Sequence, residues 1–490
     1  MKRTNLICSG MALAALVPFA NPLAAQREQP NIIYILADDL GYGDIGCYGQ
    51  QYIKTPNIDR LATEGIRFTQ HYSGAPICAP ARCSLMTGLH TGHTYIRNNR
   101  ELPDPVAYKT GQTPIPDETR TMAEMLRESG YATAMIGKWG LGSMASEGAP
   151  NKQGFDFFYG YADQVHAHNH YPEYLWRNDK QEFIEGNVAS VHPKTDRSKE
   201  TDNQEYKKYQ GKHYSLDLMA DEAAKFIEEN QRKPFFLYLA FVVPHKALQV
   251  PEESLEMYNS VFKEEQAYDG KRGYTPHPRP LSAYAAMITR MDQKVGLILD
   301  QLRKLGLDEN TIVMFSGDNG PAGGGGVDAR FFNSSGGMRG MKGQVYEGGI
   351  REPFVARWPA RIKPGMTTGH VSAHYDLMAT LAELTGQELT ETDGISFLPT
   401  LLGHPKKQKE HEYLYWEISG RGGQNGIRMG DWKGVRSMNR STGKMEWEIF
   451  NLSADRAETV NVAGEHPELV ERFNQIVNSR TPAVFPEWNF

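Results

Sequence analysis

The sequence predicts an α/β fold: a large mixed, mostly parallel sheet flanked by helices, followed by a smaller C-terminal α+β domain. Three observations carry this. Short apolar runs without polar alternation, such as Ile32 to Leu36, read as strands covered on both faces, the habit of parallel sheets between helices. Helical stretches alternate with these runs, the pattern of βα units. After Leu402 the texture changes to short strand-like segments separated by turn residues, which suits an antiparallel sheet.

Taken in order, the first strand runs to Leu36 and ends in Ala37-Asp38-Asp39. A helix follows Thr55-Pro56 through Ile58, Leu61 and Ala62 and stops at Gly65. Ile66 to Tyr72 reads as a strand, and a helix begins around Pro80. Thr121 to Glu128 is helical with Gly130 as its stop, and Tyr131 to Ile136 is a strand. Ser215 to Glu229 is a helix and Pro234 to Val243 an apolar strand. Ser282 to Leu305 is a long amphipathic helix with Ile288, Met291, Val295 and Leu299 on one face, and Thr311 to Phe315 is a buried strand. The glycine-rich residues 321–337 are expected as a mobile loop. The C-terminal sheet is assigned to Glu412 to Ile418, Gly426 to Arg428, Trp432 to Val435 and Glu446 to Asn451, closed by a helix near Pro467 to Val477. The expected division is 1–25 export signal, 26–400 catalytic domain and 401–490 C-terminal subdomain.

The formal charge of -6, with no Lys/Arg-rich run, excludes nucleic acid as the partner. Hydrophobic residues make up 40% of the chain, which excludes disorder as its default state. Lys2 and Arg3 precede an apolar stretch from Leu6 to Ala20, with a cleavage site after Ala25, so the chain is expected to be exported to the periplasm or secreted. That stretch is too short for an anchor and is broken by Pro18 and Pro22, and no later segment is apolar enough to span a bilayer. Removing Cys8 with the signal leaves Cys47, Cys78 and Cys83, an odd number in an oxidising compartment, so at least one thiol is unpaired or chemically special. Whether Cys47 pairs with Cys83 stays open.

Two pairs of oxygen ligands follow apolar strands: Asp38-Asp39 and Asp318-Asn319. Each alone is compatible with turn chemistry. Two such pairs at strand ends favour a hard cation such as calcium or magnesium. Between them lies Cys78-Ala79-Pro80-Ala81-Arg82, followed by Leu85-Met86-Thr87-Gly88. Pro80 pre-sets the first helical turn and places Cys78 at a helix N-terminus, where free N–H groups and the dipole favour an anionic ester. Arg82, one turn on, is placed to hold the nucleophile's hydroxyl or a metal-ligating carboxylate.

This motif resembles the signature of the type I sulfatases, in which a maturation enzyme oxidises the cysteine to formylglycine. The resemblance covers nearly the whole mature chain. Thr55 to Ala62 is similar to the family's first helix, Ile136 to Gly142 to its lysine motif, and Val243-Pro244-His245-Lys246 to its Pro-His motif. Arg339 to Gly343, with Tyr346 to Arg351, resembles the second lysine motif, and Gly430 to Lys433 a stretch of the C-terminal domain. The resemblance implies an alkaline-phosphatase-like fold and one calcium ion held by Asp38, Asp39, Asp318, Asn319 and the residue at 78. It also implies hydrated formylglycine at 78, one hydroxyl attacking sulfur and the second later expelling sulfate. Lys138 and Lys342 would neutralise the sulfate oxygens, and His245, expected to titrate near working pH, would protonate the leaving oxygen. The implied substrate is a sulfated glycan, of the galactose or N-acetylgalactosamine type, and the implied activity is arylsulfatase or N-acetylgalactosamine sulfatase-like.

One position departs from the family. A histidine is usual two residues after the first lysine, and here the residue is Gly140. His166, His168 and His170 offer replacements; in an extended segment they would point the same way, and His168 is the one chosen, either to fill the gap or to bind the sugar. Arg97, Asn99 and Arg100 are within reach of substrate in sequence terms, and Trp176 and Trp416 are alternatives for a sugar platform, with core or surface roles favoured for all five. Two rivals remain. A phosphodiesterase or phosphonate monoester hydrolase on the same fold is disfavoured by the two lysines and single metal site. A glycan-binding protein with a dead site would need more breakage than Gly140.

Overall fold

The computed structural model describes residues 29–102, 111–187, 191, 206–263, 265–271, 273–389 and 391–490. The expected export segment lies outside these residues. The main sheet has eleven strands. In chain order they are β1 (Asn31–Asp38), β2 (Ile66–Tyr72), β3 (Ala132–Lys138), β4 (Phe157–Tyr161), β5 (Tyr174–Arg177), β6 (Lys180–Phe183), β7 (Phe235–Pro244), β8 (Thr311–Gly317), β9 (Arg351–Arg357), β10 (Met366–Thr368) and β11 (Ser372–Ala373). The spatial order is β10-β2-β9-β8-β1-β7-β3-β4-β5-β6, with β11 also on β2. The five strands from β8 to β4 are mutually parallel. β9 runs antiparallel to both β8 and β2, and β5 and β6 form a hairpin at the other side.

β1 shows why the interior strands lack polar alternation. Ile33 and Ile35 face a core built with α1 (Pro56–Thr63), α4 (Ser215–Glu229) and α5 (Pro280–Lys304). Ile32, Tyr34 and Leu36 face the opposite core, shared with α2 (Cys78–Thr87), α3 (Met122–Glu128) and α6 (Asp376–Thr385). Both faces are dry, so both must be apolar. Cys47 packs against the first core and Cys83 lies in the second. Cys47, Cys78 and Cys83 are free thiols, so Cys47 and Cys83 are not paired. Among the described residues no helix is long and apolar enough to cross a membrane.

The second sheet is an antiparallel meander of β12 (Leu414–Ile418), β13 (Gln424–Met429), β14 (Trp432–Asn439) and β15 (Lys444–Asn451). It is packed by Phe473 and Ile476 of α7 (Pro467–Asn478). Buried ion pairs join it to the main sheet: Glu347 receives Lys433 at 3.2 Å and Arg351 at 3.0 Å.

Two expectations change. β9 was not anticipated, because its sequence carries Arg351, Glu352, Pro353 and Arg357, yet all seven residues are buried. Residues 321–337 are packed rather than mobile along much of their course. The buried Ser334 donates its hydroxyl to Asp44 Oδ1 at 2.5 Å, and its carbonyl accepts from Gly43 N at 2.7 Å. A Cβ on Gly41 or Gly43 would lie 2.3 Å from a carbonyl oxygen of this segment, so glycine permits the approach.

Candidate active site

The carboxyl ends of four adjacent parallel strands, in the order β8, β1, β7 and β3, deliver the chemistry, where ligands bind in open α/β sheets. β8 is followed by Asp318 and Asn319, β1 ends in Asp38 with Asp39 next, β7 is followed by His245, and β3 ends in Lys138. Asp39 adopts φ 64°, a left-handed conformation unusual outside glycine, and its N–H donates to Asp318 Oδ1 at 3.0 Å.

Cys78 enters from α2 as its first residue and is 1% exposed. Its Sγ lies 3.3 Å from Asp38 Oδ1, 3.8 Å from Asp39 Oδ1 and 3.2 Å from Lys342 Nζ. Lys342 Nζ also reaches Asp39 Oδ1 at 2.5 Å, and Lys138 Nζ reaches Asp38 Oδ2 at 2.5 Å. Arg82 grips Asp318 Oδ2 through Nε at 3.1 Å and Nη2 at 2.8 Å, while Nη1 donates to the Lys138 carbonyl at 2.5 Å. Of its two expected partners, Arg82 takes the carboxylate, and so fixes the ends of β8 and β3 together.

Burial and then Asp38 push the Cys78 thiol up, against Lys138 and Lys342, so the unmodified residue is held as a thiol. Burial would raise Asp38, but Lys138, His245, Arg82 and Lys342 outweigh it and hold its carboxyl well below the ordinary range. Asp318 goes the other way, to about 6, through burial and its neighbour Asp38. Burial opposes the charge on Lys342, yet Asp39 and Asp38 keep its ammonium well above the usual value.

Asp38, Asp39, Cys78 and Asp318 bring one ligand atom each within 4.8 Å of one another. Asp39 Oδ2 and Asn319 Oδ1 are buried with no hydrogen-bond partner among the described residues. Asn319 Nδ2 donates to Asp39 Oδ1 at 2.8 Å, which leaves the amide oxygen as the orphan. Buried carboxylates with orphan oxygens are the donor set of a hard divalent cation, so the residues fit calcium.

His245 is in the site, with Nε2 3.5 Å from Asp39 Oδ2 and Nδ1 2.5 Å from the Lys246 carbonyl. The carbonyl fixes the proton on Nδ1 and turns Nε2 to the site. The expectation that His245 titrates near working pH is corrected: burial, then Lys342, push it well below its ordinary value. The extended segment that would point the three histidines the same way does not form at 166–168. His166–His168 is a single 3-10 turn, so the rings diverge. His166 packs on Tyr161 and Tyr174, and His170 Nε2 pairs with the His245 carbonyl at 2.8 Å. His168 stacks on His245, with centroids 4.6 Å apart and an interplanar angle of 8°.

Asn99 accepts from Ala79 N at 3.1 Å, so it steadies the nucleophile helix. Arg97 pairs with Glu417 at 2.9 Å and Arg100 with Glu487 at 2.8 Å. Trp176 and Trp416 are buried, the latter with its indole N–H on the Ser73 carbonyl at 2.7 Å, and neither presents a sugar platform. Tyr274, whose ring lies 5.4 Å from that of His168, had no signal in the sequence, whereas Lys246 of the Pro-His motif donates from Nζ to the Gly323 carbonyl at 2.5 Å.

A family model described as Sulfatase matches residues 30–387, and one described as N-sulphoglucosamine sulphohydrolase, C-terminal, matches residues 341–480. The chain is 30% identical to N-acetylgalactosamine-6-O-sulfatase of Bacteroides thetaiotaomicron, over 92% of this chain and 93% of that protein. It is 31% identical to arylsulfatase A of Homo sapiens, over 95% of this chain and 90% of that protein. A solved structure described as Ps i-CgsB in complex with k-i-k-neocarrahexaose superposes with a TM-score of 0.73 at 26% identity, covering 93% of this chain and 94% of the other.

Proposed function

The chain belongs to the sulfatase family, with the alkaline-phosphatase-like fold, and on that premise we propose that it removes sulfate from an exported-compartment glycan of the galactose or N-acetylgalactosamine type. The observation that carries this reading is Cys78 at the start of a buried helix, with Sγ 3.2 Å from Lys342 and 3.3 Å from Asp38. The sugar class is supported by the N-acetylgalactosamine-6-O-sulfatase relative, whose match spans nearly the whole of both chains.

Sγ stands where the oxygens of the modified residue would be. Oxidised to formylglycine by a maturation enzyme, the residue supplies a hydrated aldehyde with one hydroxyl to attack sulfur and another to release sulfate. Asp38, Asp39, Asp318 and Asn319 would hold calcium, whose positive charge would acidify a hydroxyl and offset the charge of sulfate. Lys342 already touches the reacting atom's position, so its ammonium sits where charge accumulates during transfer. Lys138 complements it from the opposite side, on Asp38. Arg82 positions the Asp318 carboxylate rather than touching the ester. His245 presents Nε2 toward the leaving oxygen, and the negative charge of a bound sulfate ester opposes the effect of Lys342 on its protonation.

The test is sulfate release from a panel of sulfated mono- and oligosaccharides, with the 78-containing peptide checked by mass for formylglycine. Release that disappears in Cys78→Ala supports the reading and names the sugar. Cleavage of phosphodiesters or phosphonate monoesters in its place sinks it.

Calcium is tested apart from turnover. At a hundredfold excess over Kd, calcium is expected to stabilise the fold by about 2.7 kcal/mol relative to chelated protein. The increase in melting temperature should shrink in Asn319→Ala. An identical melt with calcium and with chelator would exclude this metal assignment.

A further inference from the structure

The family histidine missing at position 140 leaves a space, and a side chain from elsewhere fills it. Gly140 has φ 77°, and an ideal Cβ there would lie 2.4 Å from Gln164 Nε2. Gln164 is 5% exposed, and its Nε2 has no hydrogen-bond partner among the described residues. A buried N–H left unpaired is destabilising, so a donor held that way is suited to an acceptor that arrives with a ligand.

The surrounding backbone places this donor at the strand end that carries Lys138. β4 lies parallel to β3, with Lys138 opposite Tyr161, and Gly140 N donates to the Ala162 carbonyl at 3.1 Å. The chain therefore carries Gln164 past the same sheet edge as Lys138. Trp139 points the other way, its indole N–H on the Gly148 carbonyl at 2.7 Å within the core. Gly140 follows Lys138 by two residues at this strand end, and Lys138 reaches Asp38 beside Cys78. Asp163 Oδ1 accepts from Val165 N at 2.7 Å and His166 N at 2.8 Å, which fixes the turn bearing Gln164.

We infer that Gln164 is a substrate-contacting residue whose carboxamide N–H donates to a nonbridging oxygen of the sulfate group, beside Lys138. The inference rests on the sulfatase reading and names a further residue of that site. A carboxamide donates without titrating in the working range, so it retains the donor of the family's histidine and leaves proton handling to His245.

The test compares wild type with Gln164→Ala and Gln164→Glu, the second preserving shape if the first fails to fold. Inorganic sulfate binding is measured by calorimetry, together with kcat/KM on the substrate found above, formylglycine content and melting temperature. Loss of a hydrogen bond to a charged group is expected to weaken sulfate binding and kcat/KM by about 10- to 100-fold in Gln164→Ala. The loss should be the same across pH, with formylglycine content unchanged. Gln164→Glu should lose at least as much once ionised. Weaker sulfate binding in the variants supports the inference even where no panel ester is hydrolysed, so the two readings fail separately. Sulfate affinity and kcat/KM equal to wild type, with only the melt shifted, overturn it.

Discussion

Replacing Cys78 with serine is expected to cut steady-state sulfate release by at least about 10⁴-fold, while leaving a single sulfate on the protein. The hydroxyl of serine would occupy nearly the same volume as the thiol, between Asp38, Asp39 and Lys342. It would have the same helix N-terminus behind it and the same lysine to stabilise charge on the sulfate, so one transfer remains feasible. The second half does not. A serine sulfate has no neighbouring hydroxyl on the same carbon to collapse and expel the anion, so the ester must wait for water, and the buried position gives water poor access. The check is mass analysis of the 78-containing peptide after incubation with substrate, showing one added SO3 group, alongside the steady-state rate. Little change in melting temperature is expected, because the introduced hydroxyl finds polar partners. Turnover by the serine variant at the wild-type rate would falsify the two-hydroxyl mechanism.

The contrast between what could and could not be read from the sequence follows from where each residue's information lies. β1, β7 and β8 were legible because burial on both faces forces an uninterrupted apolar run. β9 was not, because Glu352 and two arginines are buried in a strand whose composition looks like a loop. The metal-type pairs were legible because they directly follow strands, so sequence position and sheet edge coincide. Cys78, Arg82, Lys138 and Lys342 were legible through their motifs, and the structure brings them together around Asp38, Asp39 and Asp318. Gln164 was not: its value depends on the empty Cβ position at Gly140, a relation that exists only once β3 and β4 are aligned. The three histidines were misread for a simpler reason. Spacing of two has one meaning in a strand and another in a 3-10 turn. His245 was legible through its Pro-His motif but its proton affinity was not, since burial and Lys342 are three-dimensional facts.

Lys433→Met is expected to destabilise the protein by about 1.5–3 kcal/mol at neutral pH, the cost of removing one charged partner from a buried carboxylate that keeps Arg351. Lys433 is fully buried, with Nζ 3.2 Å from Glu347, 4.0 Å from Glu458 and 4.9 Å from the Trp416 ring centroid. One ammonium between two buried carboxyl groups cannot satisfy both equally. Burial would raise Glu347, but Lys433, Arg351 and Arg428 prevail and hold it at about 2. Glu458 is pushed up to about 8 by burial, opposed by Lys433 and reinforced by Glu347. The two have opposite consequences. Glu347 contributes stability that is present above its ordinary value of 4.5 and lost as pH falls toward about 2. Glu458 keeps its proton in the native state while the unfolded chain ionises near 4.5, so its contribution declines as pH rises from there to about 8. Glu458→Gln should therefore flatten the decline between pH 4.5 and about 8, whereas Lys433→Met lowers stability on both sides of neutrality. Denaturant titrations of the three proteins across that range separate these effects. The same network governs the site, because Glu347 N donates to Glu458 Oε2 at 2.8 Å shortly after the segment that carries Lys342. Lys433 and Glu458 thereby brace the segment next to Lys342, and Lys433→Met should lower kcat/KM even in the fraction that remains folded. A variant with wild-type stability and kcat/KM would show that neither anchoring nor charge balance resides in Lys433.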